Sequence, residues 1–171
     1  MAVTPAEYIQ LVVLPTVREF VARPADRRLA YLSTQVTYHV IDYLMRKAVP
    51  VGSKRNVRDP ETKRIEDLIR ADSPEFFAVV EGMCHGAKHC GRDGGEGHQF
   101  TPGDEQRVPP FGFGEGFAGF GQGRWGSEGL VVVLSNGERI FVDTAVIGFL
   151  LACQRLFPDH VSGLDRSSWA T

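Results

Sequence analysis

The stretch DRRLAYLSTQVTYHVIDYLMRKA at residues 26–48 is the longest run of the chain that keeps a helical pattern without Gly or Pro. Apolar residues recur in it at spacings of three and four and so share one helix face: Leu29, Leu32, Val36, Val40, Tyr43 and Leu44. Tyr31, Tyr38 and Met45 form a second stripe on nearly the opposite side. Because a helix that is apolar on two sides is usually packed by neighbours on both, we predict a central helix here.

The length and composition of the chain are those of one ordinary globular domain. Its 171 residues are enough to bury a core without disulfides or a structural metal. A content of 43% hydrophobic and 23% charged residues is typical of a soluble protein. The net charge of −2 gives no general reason to expect nucleic acid or an anionic membrane as partner. We divide the single domain, 1–171, into a helical bundle at 1–90, a Gly- and Phe-rich loop at 91–129, a hairpin with a C-terminal helix at 130–157, and a tail at 158–171.

The charges are unevenly placed along the chain. Residues 46–64 contain seven basic against two acidic residues, whereas residues 72–105 contain seven acidic against two basic residues. Two solvated faces of opposite sign are the common reason for such a pattern. The alternative is that Lys54, Arg55 and Arg58 contact a phosphate backbone, which makes RNA a candidate partner.

Cysteine usage and the absence of long apolar runs favour a cytoplasmic protein. The three cysteines, Cys84, Cys90 and Cys153, are odd in number and lack secretory spacing. The N-terminus has no signal-peptide pattern, and no apolar run approaches the roughly 20 residues of a membrane span. All three thiols fall on apolar helix faces, so we expect core residues. Cys84, one turn from Lys88, is the only candidate for a catalytic thiol.

Capping and proline signals predict a helix before the central one. Thr4, Pro5 and Glu7 have the spacing of a capping box with Pro at the first helical position. The helix should run to about Ala22. Pro15 should kink or split it, because the proline ring and the missing N–H disrupt a helix interior.

Three further helices follow the central one. After the basic loop SKRNVR, DPE at residues 59–61 starts a helix to about residue 71, and SPE at residues 73–75 starts another to about residue 90. Asp143 or Thr144 caps a last helix at residues 145–157, which a proline ends. The fold class is therefore mainly α, a bundle of four to five helices with a small antiparallel β-hairpin near the C-terminus.

The Gly- and Phe-rich loop and the hairpin have sequence patterns that differ from those of the helices. Residues 91–129 carry many glycines, but residues 111–125 also contain five aromatic residues, so we expect a long loop held by its Phe side chains. The apolar runs at 130–134 and 139–142 flank SNGE at 135–138, which is typical of a hairpin with a type I′ turn. A lone two-stranded hairpin is marginal in water. It should pack on the helices, recruit a strand from the Phe-Gly run, or pair with a second copy in a homodimer.

Histidines near the end of the fourth helix suggest a metal site. At about 100° per residue, the two cysteines of this helix lie on its apolar side, so they cannot share an ion with the histidines. Glu81, His85 and His89 form a stripe on the other side, and His98 follows as a possible further ligand for Zn or another divalent metal. A polar helix face with an ordinary Glu–His interaction is the alternative.

His39 and Asp42 are a second candidate pair. They lie three residues apart on the central helix, so the carboxylate could orient the imidazole for acid–base chemistry. Tyr38 is placed to hydrogen-bond to Asp42, and Lys88 or His89 would approach the pair if the fourth helix packs on the central one. The alternative is a buried histidine that a neighbouring carboxylate satisfies.

Three stretches carry a resemblance to known proteins: RRLAYLSTQVTYHVIDYL at 27–44, EGMCHGAKHC at 81–90, and the hairpin with its helix at 130–157. Together they resemble a set of uncharacterised bacterial proteins with a helical hairpin, a Lys-His dipeptide that closes a later helix, and a C-terminal strand–turn–strand–helix. The helical half is also similar to the HEPN superfamily. Its active members are ribonucleases with an Arg-x4–6-His motif at a helix start, and many other members are non-catalytic. That spacing occurs here from Arg92 to His98.

Three functions follow from these patterns. We expect first a non-enzymatic interaction module that self-associates through the hairpin or the Phe-Gly loop, with another protein as a further candidate partner. The second is a HEPN-like ribonuclease that uses His39 or His98 with Asp42, Lys88 and basic residues for phosphate. The third is a small metal-binding protein with the Glu-His-His stripe as ligands.

Overall fold

The structure is a computed structural model, and it describes residues 3–50, 52–89, 104–110, 128–164 and 169. The mainly α fold with a small antiparallel sheet is confirmed. The helices are α1 (Pro5–Tyr8), α2 (Leu14–Ala22), α3 (Arg27–Tyr38), α4 (Val40–Ala48), α5 (Arg55–Asp72), α6 (Pro74–His89) and α7 (Val142–Leu156), and the strands are β1 (Gln106–Val108), β2 (Gly129–Val133) and β3 (Arg139–Phe141).

The first predicted helix begins as its capping chemistry requires. The Glu7 N–H donates to the Thr4 hydroxyl (3.2 Å), and the Thr4 N–H donates to the Glu7 carboxylate (2.7 Å). The chain stays helical through Pro15 to Ala22, with a π-helical segment, Ile9–Val13, between α1 and α2. Because Pro15 cannot donate to the carbonyl four residues before it, a change of helix type just upstream is a physically sensible accommodation.

The prediction of a single central helix is wrong, because the stretch forms two helices that meet at His39. Asp26 caps α3 by accepting from the Leu29 N–H (3.1 Å). At His39 the backbone has ψ −10°, where an α-helix has about −42°. The reason lies in tertiary packing: α3 contacts α2, α6 and α7, whereas α4 contacts α1 and α5. Each half of the predicted helix therefore has its own set of partners.

The predicted apolar stripes of the central helix are confirmed only in part. Leu29, Val40, Leu44 and Met45 are buried, but Leu32 is 38% exposed. The face of α3 that packs into the bundle instead contains small polar residues, all of them buried: Ser33, Thr34 and Thr37. Small side chains let neighbouring helices approach closely, and the apolar periodicity alone does not reveal such a face.

The third predicted helix begins earlier than its Asp-Pro-Glu signal. Helix α5 starts at Arg55, so the basic segment expected to be a loop is largely helical, and Pro60 lies inside the helix. Pro60 has no N–H to donate to the carbonyl of Asn56, four residues earlier. Both residues are exposed, so water can hydrogen-bond to that carbonyl. The next start signal is confirmed, because α6 begins at Pro74.

Helices α6 and α7 form the centre of the core. Phe77 and Phe149 stack with their ring centroids 5.9 Å apart. Cys84 and Cys153 are fully buried, as expected of core residues, and burial raises the pKa of the Cys153 thiol. Cys90 lies outside the described residues. Trp169 is 6% exposed and packs against this core.

The hairpin is confirmed and has a third strand. Strand β2 pairs antiparallel with both β1 and β3, so it is central. The turn differs from the type I′ prediction: the Leu134 N–H donates to the Glu138 carbonyl and the Gly137 N–H to the Leu134 carbonyl, which closes a three-residue loop. Gly137 has φ +84°, as the glycine of such a loop commonly does.

A buried carboxylate attaches β1 to the helices. The Glu105 side chain is 2% exposed and accepts from the Arg27 guanidinium (2.9 Å) and the Tyr31 hydroxyl (2.9 Å). β1 follows directly and is the third strand that the hairpin needed. It comes from before the Phe-Gly run, whose residues 111–127 lie outside the described residues.

Candidate functional site

A cleft with apolar walls and a basic rim opens where α1, α4 and α5 meet. We call it the cationic cleft; its volume is about 620 Å³. Its lining groups are the cations Arg46, Lys47 and Arg58, the polar or small residues Tyr43, Gly52 and Ser53, and the apolar residues Val3, Pro5, Met45, Val49 and Pro50. No described Asp or Glu side chain lines it.

The floor of the cationic cleft is held by a pair of tyrosines. Tyr8 and Tyr43 stack with ring centroids 4.0 Å apart, and the Tyr8 hydroxyl donates to the Val36 carbonyl (3.0 Å). Burial, followed by the neighbouring Tyr43 and then the charge of Asp42, raises the pKa of Tyr8 to about 12, so the hydroxyl stays a donor at neutral pH. Met45 and Val49 beside it are 7% and 8% exposed.

The rim of the cationic cleft is positive. Arg46 lies 5.8 Å from the centroid of the Tyr43 ring, and Arg46, Lys47 and Arg58 are all exposed. None of the three makes an ion pair with another residue that the structure describes. Helix α5 begins beside them without a side-chain cap, so the partial positive charge of its first N–H groups has the same sign.

A second, more open cleft of about 600 Å³ lies between α4 and α5; we call it the polar cleft. It shares Met45 and Arg58 with the cationic cleft. Its charges are mixed: Arg55 pairs with Asp59 (2.9 Å). Lys63, like Arg58, makes no ion pair within the described residues.

The predicted His39–Asp42 pair exists, and it lies at the polar cleft. His39 Nδ1 is 2.8 Å from Asp42 Oδ2, and Asp42 lines the cleft. The side chains are 39% and 51% exposed, so the histidine is not the buried one of the alternative interpretation. The Tyr38 hydroxyl donates to Glu66 (2.8 Å), which corrects its predicted bond to Asp42.

Two members of the predicted Glu-His-His stripe, Glu81 and His85, contact side chains of the neighbouring helices α5 and α3. Glu81 pairs with Arg70 of α5 (3.3 Å), and its side chain is 15% exposed. The His85 ring meets the Tyr38 ring edge-on at 5.3 Å. Burial and, less strongly, Glu66 raise the pKa of Glu81, while the nearby guanidinium opposes the shift.

Of the four predicted metal ligands, the structure describes the side chains of Glu81 and His85. Among the described residues no three His, Cys, Asp or Glu side chains are placed to hold a metal ion. His89 belongs to α6 but its side chain lies outside the described part, as does that of Lys88, and His98 is outside altogether. The Glu81–His85–His89 site therefore stays a prediction.

The sequence pattern pointed to part of this surface and missed the rest. Lys54, Arg55 and Arg58 were singled out as a basic segment, and Arg58 lines both clefts. The apolar half of the cationic cleft comes from Met45 and Val49, which share it with residues 40 or more positions earlier in the chain. A basic pair next to apolar residues at a helix end is the only local signal of it.

Comparison of the chain with protein-family models, with curated proteins and with solved structures gave no match. The resemblance to bacterial helical proteins and to the HEPN superfamily therefore remains an expectation. Within the described ranges, no helix is both long and apolar enough to cross a membrane.

Proposed function

We propose that this chain is a non-enzymatic binding module that takes an organic anion in the cationic cleft. The observation that carries the proposal is the composition of its lining: three cations, no described carboxylate and an apolar floor. The whole chain has a net charge of −2. A cleft whose charged lining residues, among those described, are all cations is therefore a local feature and not a consequence of overall charge.

The physical argument is electrostatic. Where apolar walls exclude water, opposite charges attract more strongly than on an open surface. Arg46 and Arg58 make no ion pair with a described residue, so an anion would meet them without displacing a protein carboxylate. Lys47 makes no ion pair there either, but its charge acts on the Glu7 carboxylate. A concave, mostly apolar site with a few placed charges is the usual form of a small-molecule site.

The test uses 8-anilinonaphthalene-1-sulfonate, an organic anion that fluoresces in apolar sites, titrated with the full chain. In the Arg46→Gln/Arg58→Gln variant we expect binding to weaken about tenfold, since two rim charges of the order of 1 kcal/mol or less each are removed. Arg28→Gln is the matched control, because Arg28 is exposed on α3 and lines neither cleft. Equal binding by both variants refutes the proposal.

A ribonuclease is the second candidate, and the His39–Asp42 contact at the polar cleft supports it. In this interpretation Asp42 orients the imidazole, which accepts the proton of an attacking ribose 2′-hydroxyl. The new bond from the 2′ oxygen to phosphorus forms as the bond to the 5′ oxygen breaks, water protonates the departing 5′ oxygen, and Arg58 and Lys63 bind the phosphate. The test is degradation of a mixed RNA pool by pure protein. Loss of cleavage in His39→Ala supports the enzyme, and equal cleavage by both proteins rejects this histidine as the base.

Self-association stays a prediction, and the hairpin is a weak route to it. Both edge strands, β1 and β3, are three residues long, and Pro109 and Pro110 follow β1 directly. Short edges next to proline resist pairing with another chain. We therefore propose that any homodimer forms through other surfaces. Light scattering across a hundredfold range of protein concentration tests it, and a constant monomer mass would reject the homodimer.

A further inference from the structure

We infer that the occupant of the cationic cleft is a single-chain alkyl anion, with a carboxylate or phosphate head and an unbranched hydrocarbon tail. This inference rests on the binding function proposed above and adds the chemical class of the ligand. It follows from how apolar and charged groups are distributed between the floor and the rim.

The floor of the cationic cleft is aliphatic and deep. Beside the Tyr43 ring, Pro5, Met45 and Val49 line the floor and are all buried, the latter two at 7% and 8% exposure. The cations lie at the exposed rim. A ligand that matches both parts has a long apolar portion and one charged end, because burying a second polar group on this floor would leave it without hydrogen bonds.

The uncharged hydrogen-bonding side chains of the cationic cleft are few. They are Tyr43 and Ser53, and the Ser53 hydroxyl already donates to the Pro50 carbonyl (2.7 Å). Recognition of a nucleobase or a sugar requires several fixed donors and acceptors aimed at its polar edges. The lining described here offers charge and apolar surface instead, which disfavours a nucleotide or a glycan.

A peptide is also a poor match. An extended peptide usually binds by adding a strand to a sheet edge, and no residue of β1, β2 or β3 lines the cationic cleft. Its volume of about 620 Å³ lies within the range of small-molecule sites. A small amphipathic anion therefore fits the charge, the shape and the size together.

The experiment is calorimetric titration of the full chain with octanoate, decanoate and dodecanoate below their micelle concentrations. Each methylene that enters the floor should strengthen binding about three- to fourfold. Decanol, which lacks the charge, should bind about tenfold more weakly than decanoate. Decanoate should displace anilinonaphthalene sulfonate, whereas AMP and a single-stranded RNA dodecamer should not.

Two variants separate the floor from the rim. Val49→Thr places a hydroxyl on the floor and should flatten the dependence on chain length, while Val133→Thr, at an exposed position of β2 (39% exposed), is the control. Arg58→Gln should weaken all three carboxylates by the same factor. If Val49→Thr fails to fold, the chain-length series on the natural protein still decides.

The possible failures are distinguishable. A flat chain-length series, or AMP displacing the dye as well as decanoate does, overturns the alkyl-anion inference alone, provided that dye binding still depends on Arg46 and Arg58. Dye binding that is the same in the arginine variants and the Arg28→Gln control removes the anion site itself, and with it both proposals.

Discussion

Replacing Gly148 by Ala tests the close contact between α6 and α7. Gly148 lies in α7, and a Cβ built there would come closer than 3.0 Å to three atoms of the Phe76 ring in α6. The ring Cγ is one of these atoms, so rotating the ring in place cannot remove the clash. Phe76 is partly buried against the core, and the whole side chain must move.

The expected change in the free energy of unfolding is the sum of two opposing effects. Ala in place of Gly in a helix interior stabilises by about 1 kcal/mol, whereas overpacking a core contact costs about 1–3 kcal/mol. For Gly148→Ala we expect a net loss of about 1 kcal/mol, or a fall of about 2–4 °C in Tm for a domain of this size. In a Phe76→Ala background the clash is gone, and the same change should stabilise by about 1 kcal/mol.

The assay is urea unfolding of the four proteins of this double-mutant cycle, followed by circular dichroism. The reversal of sign between the two backgrounds corresponds to a coupling of about 2 kcal/mol between positions 76 and 148. If Gly148→Ala stabilises both backgrounds equally, the close approach of α6 and α7 at this point is refuted.

Two further predictions concern a buried carboxylate, Glu105, and a partly buried one, Glu81. Glu105→Ala should destabilise by about 2 kcal/mol in urea unfolding, because the Tyr31 hydroxyl and the Arg27 guanidinium lose a partner that is 2% exposed; a loss below about 0.5 kcal/mol would contradict the buried anchor. For Glu81, burial raises the folded-state pKa above 4.5, so the native state binds the proton more tightly and this residue's contribution to stability falls as pH rises from below 4.5 through the raised pKa. Glu81→Gln should therefore gain stability relative to the natural protein between pH 4 and pH 7, and a constant difference over that range would exclude the shift.

Helix starts could be predicted because they depend on neighbouring residues. The Thr4 capping box and the start of α6 at Pro74 are local chemistry, and both were expected. The break at His39 and the start of α5 at Arg55 were not. The break at His39 arises because α3 and α4 pack on different helices, so tertiary contacts override local propensity there.

The contacts of the candidate site also divide into those that local sequence spacing predicts and those that depend on tertiary packing. The His39–Asp42 contact follows from helical spacing and could be predicted. The partner of Tyr38 is on α5 and that of Glu81 is Arg70, also on α5; a spacing rule within one helix does not reach them. The cationic cleft requires the start of α1 to lie beside the end of α4, which only the assembled bundle specifies.

The most direct test of the proposed anion site locates the ligand on the chain. Amide chemical shifts of the ¹⁵N-labelled protein should be followed during titration with anilinonaphthalene sulfonate. We expect the largest changes at the amides of Lys47, Val49 and Arg58, with little change at Val131 in β2. Changes centred on the sheet, or none at the end of α4, would contradict the account.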